Sequence, residues 1–444
     1  MPLPLRDKPF PSLTAERIVK RMVCQRASGY AVLATSLVAW AFVLLGCERR
    51  EIVRPTPQME ADTRFWVRVL LLADATECTL AASSGLHLSR HGAAAPVGAE
   101  ASLTAEIASP TRITLAKGQL CFGSSPQSGR SIVIGTPPPY VFSLNGRDYR
   151  GKVRLSVNPG DQTFNVINLV PLEPYLAGVV GAEMPSYWEM EALKAQTIAA
   201  RTYCLYTKNR FGAKRDWDVT STQASQVYRG IEAESARIWK AVTSTNGQIL
   251  TARDGSTGAR ELFPAYFSAI CGGHTEDCQH VFGEPFGPLQ SVPCPYCKDA
   301  ARLGLFFWPM AQFDRQTVTS QLAARYATLE ALGEIKDIVV LDKSDYGAFS
   351  RMTRIRLVGT TGKTDTLRGE DLRLSLDPTG RKIQSTICQI VPWGDGWAFL
   401  SGRGWGHGVG LCQYGAEGMA RLGRTAEAIL QHYYPGSTIE NIYE

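Results

Sequence analysis

The sequence predicts an α+β fold: a mixed sheet with packed helices, preceded by a strand-rich N-terminal region. Strand-like runs and 3.6-period helical stretches follow one another irregularly, without the strict alternation of a doubly wound sheet. Residues 65–139 hold strand candidates separated by Ala/Gly/Ser/Pro-rich stretches and no helical period. No internal repeat is present. The 444 residues, 44% hydrophobic and 20% charged, suit an ordinary globular chain and exclude a disordered one.

The net charge of +6 belongs mostly to the leader. Residues 1–46 carry six Lys/Arg against two acids, +4, which leaves +2 for everything from Cys47 onward. That balance offers no basis for a nucleic-acid partner. Arg17, Lys20, Arg21 and Arg26 precede an uncharged apolar run, Gly29–Gly46, the layout of an export signal or of a single membrane anchor. The run ends Leu44-Leu45-Gly46-Cys47, similar to a bacterial lipobox in which the Cys is acylated. Lipoprotein, uncleaved anchor and cleaved signal all place the rest of the chain outside the cytoplasm. Residues 48–64, with Pro55 and Pro57, read as a solvated tether.

Strands are expected at Trp66–Ala73, Ser102–Ile107 and Ile132–Ile134. Tyr140–Leu144 and Lys152–Val157 flank Asn145-Gly146, a strong hairpin-turn dipeptide. Gly178–Ala182 reads as strand-like. Ser186-Tyr-Trp-Glu189 fits a capping box, which predicts a helix from Ser186 as N-cap to about Lys208. Further strands are expected at Gln248–Ala252, Phe263–Ile270, Ile338–Leu341, Thr353–Val358 and Trp397–Ser401. Further helices are expected at about Thr317–Leu332, Ala416–Leu422 and Ala426–Tyr433.

Glu183 is the candidate acid/base. It is a single carboxylate hemmed by Val179, Val180, Met184 and Trp188, and desolvation there raises a carboxyl pKa, as a glycosidic general acid requires. An acid complementing the dipole of the following helix would also account for it.

The run from Glu173 through Gly178, Val179, Val180, Glu183, Met184 and Pro185 to Trp188, Lys194, Gln196, Arg201 and Tyr203 resembles the signature of the SpoIID/LytB family. Four further blocks agree, in family order: Thr222–Gly230, the turn and strand from Asn246-Gly247, Ala265–Glu276, and Gly402–Ala416 closing with Ile429–Gly436. The resemblance covers about residues 140–444, expected as the catalytic domain. It implies one of two activities. Some members are lytic transglycosylases that cleave peptidoglycan between N-acetylmuramic acid and N-acetylglucosamine, leaving 1,6-anhydro ends. Others enhance a cell-wall amidase. The family's catalytic glutamate lies in a Val-x-x-Glu-Met motif, matched here by Val180 to Met184 with Glu183. Lys194, Gln196, Arg201, Tyr228, His407, Gln413 and Tyr414 are the candidate substrate contacts. His407 equally suits a structural ring bonded to a loop carbonyl, and Tyr228 equally suits packing. The glycine loop 402–410 lacks the Gly-Lys-Ser/Thr ending of a phosphate loop.

Nine of eleven cysteines lie beyond the leader. Cys271, His274, Cys294 and Cys297 have the spacing of a closed structural zinc site, and no metal is expected for catalysis. Disulfides, favoured by an export compartment, are the rival, and Cys294-Pro-Tyr-Cys297 also opens thiol oxidoreductase sites. Cys78 and Cys121 are a candidate bridge. Cys204 and Cys412 are expected as buried thiols in helices.

Overall fold

The computed structural model describes residues 65–89, 103–255 and 258–443. The leader, the lipobox-like Cys47 and the tether lie outside them. Among the described residues no helix is long and apolar enough to cross a membrane.

Helices and several mixed sheets alternate irregularly, an α+β fold. The largest sheet has seven strands, in the order Val219–Thr220, Trp66–Ala75, Phe164–Pro171, Lys152–Val157, Ser131–Gly135, Leu86–Ser89, Leu103–Ile107. Its second interior strand, Phe164–Pro171, is buried at all eight residues, Asn165 and Asn168 included. Trp66 to Ala75 pairs antiparallel with it, with Val69 opposite Asn168. A six-stranded sheet runs Arg147–Arg150, Val141–Leu144, Glu77–Ala81, Thr111–Ala116, Gln119–Phe122, Ser125–Pro126. Val69, Leu86, Val153 and Leu155 of the first sheet share one core with Leu80, Ile113, Phe142 and Leu144 of the second. The expected division at residue 139 therefore does not coincide with a break in either sheet.

Asn145-Gly146 does turn a hairpin, but its second strand is Arg147–Arg150, not Lys152–Val157, which belongs to the other sheet. Cys78 and Cys121 lie on the two strands that flank Thr111–Ala116. One intervening strand puts about 9–10 Å between them, too far for the expected bridge.

Helix α1 (Leu172–Glu183) leaves Phe164–Pro171 directly, and its residues from Leu172 to Val180 are almost all buried. This corrects the strand expectation for Gly178–Ala182. A helix apolar on every side shows no 3.6 period, and Val179-Val180 alone mimics a strand. Pro174 sits in the first turn, where its missing N–H costs nothing. Helix α2 (Met190–Phe211) begins later than the capping box implied, and Ser186 does not cap it. The Glu189 N–H is instead taken by the Glu417 carboxylate at 2.9 Å, a cap supplied by tertiary structure. Helix α3 (Ala236–Ser244) follows, capped by Ser235. The Phe263–Ile270 expectation shrinks to Phe267–Ser268, paired with Leu411–Cys412.

A second core lies inside the C-terminal region. Trp308, Phe313, Val318, Leu322, Ile355, Leu357, Leu372, Trp397 and Phe399 cluster apart from the main core. Two three-stranded sheets and helices α4 (Arg315–Arg325) and α5 (Gly369–Leu376) enclose them. The chain enters through Phe307–Trp308 and leaves through Gly402–Arg403, and these two strands pair with each other. Adjacent entry and exit make this body an insertion. Helices α6 (Gln413–Arg421) and α7 (Ala426–Tyr433) then return to the main core.

Candidate functional site

Glu183 is the last residue of α1, so it stands at a helix C-terminus, where the dipole disfavours a negative charge. The reading of Glu183 as an N-terminal dipole partner therefore fails. Two glycines bring the site together. A methyl group on Gly181 would lie 1.9 Å from the Ala233 carbonyl oxygen, and one on Gly178 would lie 2.4 Å from the Tyr228 ring. Without side chains there, the segment 226–233 packs directly against α1. Gln226 anchors its start, accepting from Tyr175 Oη at 3.0 Å and donating to the Ala200 carbonyl at 3.1 Å.

The Val227 N–H, held there, donates to Glu183 Oε1 at 2.9 Å. Gln413 Nε2, from the first turn of α6, donates to Oε2 at 3.2 Å. Burial raises the Glu183 pKa, opposed by the Val227 and Gln413 hydrogen bonds and by the charge of Arg229. None of these three groups is an acid. Among the described residues no Lys, Arg or His forms an ion pair with Glu183. The carboxyl is therefore held in place by neutral donors and disposed to keep its proton.

An open cavity of about 770 Å³ runs alongside, lined by Asn145, Arg147, Thr222, Val227, Arg229 and Glu232 among others. Glu183 is not on its wall; Val227 joins the two. Tyr187, in the turn between α1 and α2, is 78% exposed. It follows Glu183 by four residues and was not singled out in the sequence. Next to it, Trp188 is buried and meets Tyr414 edge-on at 4.7 Å.

The other expected contacts separate into two groups. Gln413 touches Glu183, and Tyr414 packs on Trp188 beside it. Lys194 is partly exposed but pairs with Glu191 at 2.8 Å. Arg201 is completely buried and clamped to Glu173 at 2.9 and 2.6 Å and to the Gln248 carbonyl, so it is a structural ion pair and not a substrate contact. Tyr228 is also buried, donating to Asn168 Oδ1 and packed on Tyr149 and Tyr175, which removes it as a sugar platform. Gln196 is fully buried as well, and its amide has no hydrogen-bond partner among the described residues. His407 accepts from the Val409 N–H at 3.0 Å and donates Nε2 to the Phe267 carbonyl, and burial pulls its pKa down to about 4. It is the neutral structural histidine of the two readings.

The cluster that the structure brings together differs from the expected metal set at one member. Cys271, Cys294, Cys297 and Cys412 come together, all buried. His274 does not join them: its Nδ1 lies 2.9 Å from Ser291 Oγ, and its ring stacks on Tyr346 at 4.1 Å. Nor is Cys412 a thiol inside a helix; it is the N-cap of α6.

Comparison with known proteins places this site in context. The family model described as Stage II sporulation protein, SpoIID, matches residues 160–251. That window contains α1, α2, Glu183 and Val227. An uncharacterised protein of Brachyspira hyodysenteriae is 31% identical over 298 residues, covering 67% of this chain and 74% of its own length. Stage II sporulation protein D of Bacillus subtilis is 29% identical over 284 residues, 61% of this chain and 74% of its own. The amidase enhancer of Bacillus subtilis is 29% identical over 335 residues, covering 67% of this chain and 45% of the enhancer.

Proposed function

The chain belongs to the SpoIID/LytB family, and from that premise we propose that it is a peptidoglycan lytic transglycosylase with Glu183 as its general acid and base. The observation that carries the reading is the state of Glu183: a partly buried carboxyl, gripped by two neutral N–H donors, with no cation in a close ion pair with it among the described residues. A hydrolase needs a second carboxylate as base or nucleophile. A transglycosylase does not, because the muramic acid supplies its own nucleophile. Glu183 gives its proton to the glycosidic oxygen and the N-acetylglucosamine hydroxyl leaves. The Glu183 carboxylate then takes the proton of the muramic 6-hydroxyl as that oxygen closes on C1. The product is a 1,6-anhydro end, no water is consumed, and Glu183 is protonated again. The cavity beside Val227 and the exposed Tyr187 ring suit a sugar chain laid past the carboxyl. Peptidoglycan is then the partner, and an anchored position outside the cytoplasm, as the leader implies, is part of the proposal.

The likeness to an amidase enhancer favours a second reading, a wall-binding module that stimulates a separate amidase. The full-length chain and Glu183→Gln, each incubated with purified sacculi, separate the two by mass spectrometry of the released sugars. Anhydro-muramyl ends from the wild type, and at least about 10²-fold fewer from the variant, are the expected result. Reducing ends would mean a hydrolase. No release by either protein, with faster cleavage by an added amidase, would select the enhancer.

A further inference from the structure

Four cysteines from three separate parts of the chain converge in the main core. Cys271 follows the strand Phe267–Ser268, Cys294 and Cys297 bracket the start of the short helix Cys297–Ala300, and Cys412 caps α6. All four are buried, and their sulfur atoms lie within 4.8 Å of one another. The Cys271 and Cys297 sulfurs are 3.8 Å apart. A tetrahedral zinc ion with Zn–S bonds of about 2.3 Å sets its sulfurs about 3.8 Å from each other.

Polar N–H and O–H groups lie against two of the sulfurs. Cys412 Sγ accepts the N–H of Cys271 at 3.2 Å and that of Gly415 at 3.4 Å, and Tyr433 Oη lies 3.0 Å from Cys294 Sγ. Donors of this kind spread the charge of a sulfur-ligated metal. Gly415 is required for this closeness, since a methyl group there would fall 2.0 Å from Tyr433 Oη and 2.6 Å from Cys294 Sγ. Arg351, reaching in from the inserted body, holds the Cys271 carbonyl at 2.7 Å. A thiol-exchange role does not fit, because exchange needs a sulfur that a partner can reach.

We propose that Cys271, Cys294, Cys297 and Cys412 form a tetrathiolate zinc centre, closed to solvent and structural. Binding converts four thiols to thiolates and releases four protons to solvent, with no oxidation. Four protein ligands leave no position for water or substrate, so the ion does not take part in sugar chemistry. Its effect is to tie the start of α6 to the core. Cys412 immediately precedes Gln413, the residue that donates to Glu183, so the centre fixes one wall of the carboxylate site from a closed position behind it.

Metal analysis of the full-length chain, purified with a reductant and without added metal, is the test. One zinc per chain is expected in the wild type and in His274→Ala, and loss of zinc in Cys412→Ser. Replacement by cobalt(II) should give the intense visible bands of a tetrahedral thiolate site. Wild-type protein that is metal-free under these conditions would overturn the proposal. So would zinc that survives Cys412→Ser but disappears with His274→Ala. Because the wild-type stoichiometry and the His274→Ala result stand by themselves, a Cys412 variant that fails to fold does not blunt the test.

Discussion

Glu183 and Glu234 both meet the segment that runs from Gln226 to Glu234, and the protein surrounds them in opposite ways. Glu234 is buried with a bidentate partner, Arg150, at 2.7 and 2.9 Å, and a third donor, Trp239 Nε1, at 2.8 Å. Glu183 is flanked by a backbone amide and a side-chain amide, and the one charge that acts on it, Arg229, is exposed and forms no close pair with it. A buried guanidinium holds the Glu234 carboxylate in a fixed two-point ion pair. Neutral donors orient Glu183 while leaving its proton exchangeable, which is what a group that must give and retake a proton needs. The same contrast separates Arg201 from Arg229. The first is buried against Glu173; the second is exposed along the cavity.

If the two glutamates differ in this way, substitution should separate function from stability. The largest expected effect is Glu183→Gln, a loss of about 10²- to 10⁴-fold in glycan cleavage. Its fold should survive, because the amide oxygen still accepts the Val227 N–H. At neutral pH the variant should in fact be more stable than the wild type. A carboxyl whose pKa is raised by folding contributes stability that is complete below its unfolded pKa and lost as pH climbs through the folded value. Thermal melts at several pH values should therefore show the wild type losing stability relative to the Gln variant as pH rises across that window.

Breaking the other pair should do the reverse. Arg150→Met strands the Glu234 carboxylate in the core, at a cost of about 3–5 kcal/mol by chemical denaturation. Whatever fraction stays folded should keep the product type of the wild type. A variant with unchanged stability would mean that Glu234 reaches solvent or takes up a proton, and the contrast between the two sites would collapse.

How much of this the sequence disclosed depended on the range of each interaction. Local patterns served well: Lys152–Val157 and Ala426–Tyr433 have the expected bounds. Glu183 stands out through its motif, yet the element carrying it reads as a strand, because a helix buried on all sides has no period to detect. Val227 could not have been found at all. It acts through its backbone N–H, which every residue but proline possesses. Arg201 carried the chemistry of an anion binder, and only the fold reveals that Glu173, at the head of the same motif, already occupies it. The cysteine cluster was legible in three of four members. The CxxC spacing and nearby Cys271 mark a cluster, but its fourth member arrives after the inserted body, and spacing alone favours the closer histidine.

The smallest expected effect tests the finest claim of the comparison, that the donors around Glu183 tune its proton without fixing its charge. Gln413 lowers the Glu183 pKa by donating to the carboxylate. Gln413→Leu removes that donor, so the pKa should rise further, and the limb on which cleavage falls with increasing pH should move to higher pH. The cost in stability should be about 1 kcal/mol, that of one hydrogen bond, far below the Arg150 result. A pH–rate profile of the variant beside the wild type reads the shift directly. An unmoved limb would mean that Gln413 only packs against the carboxyl and has no part in setting its ionisation. A limb moved to lower pH would mean that a group other than Glu183 supplies the proton.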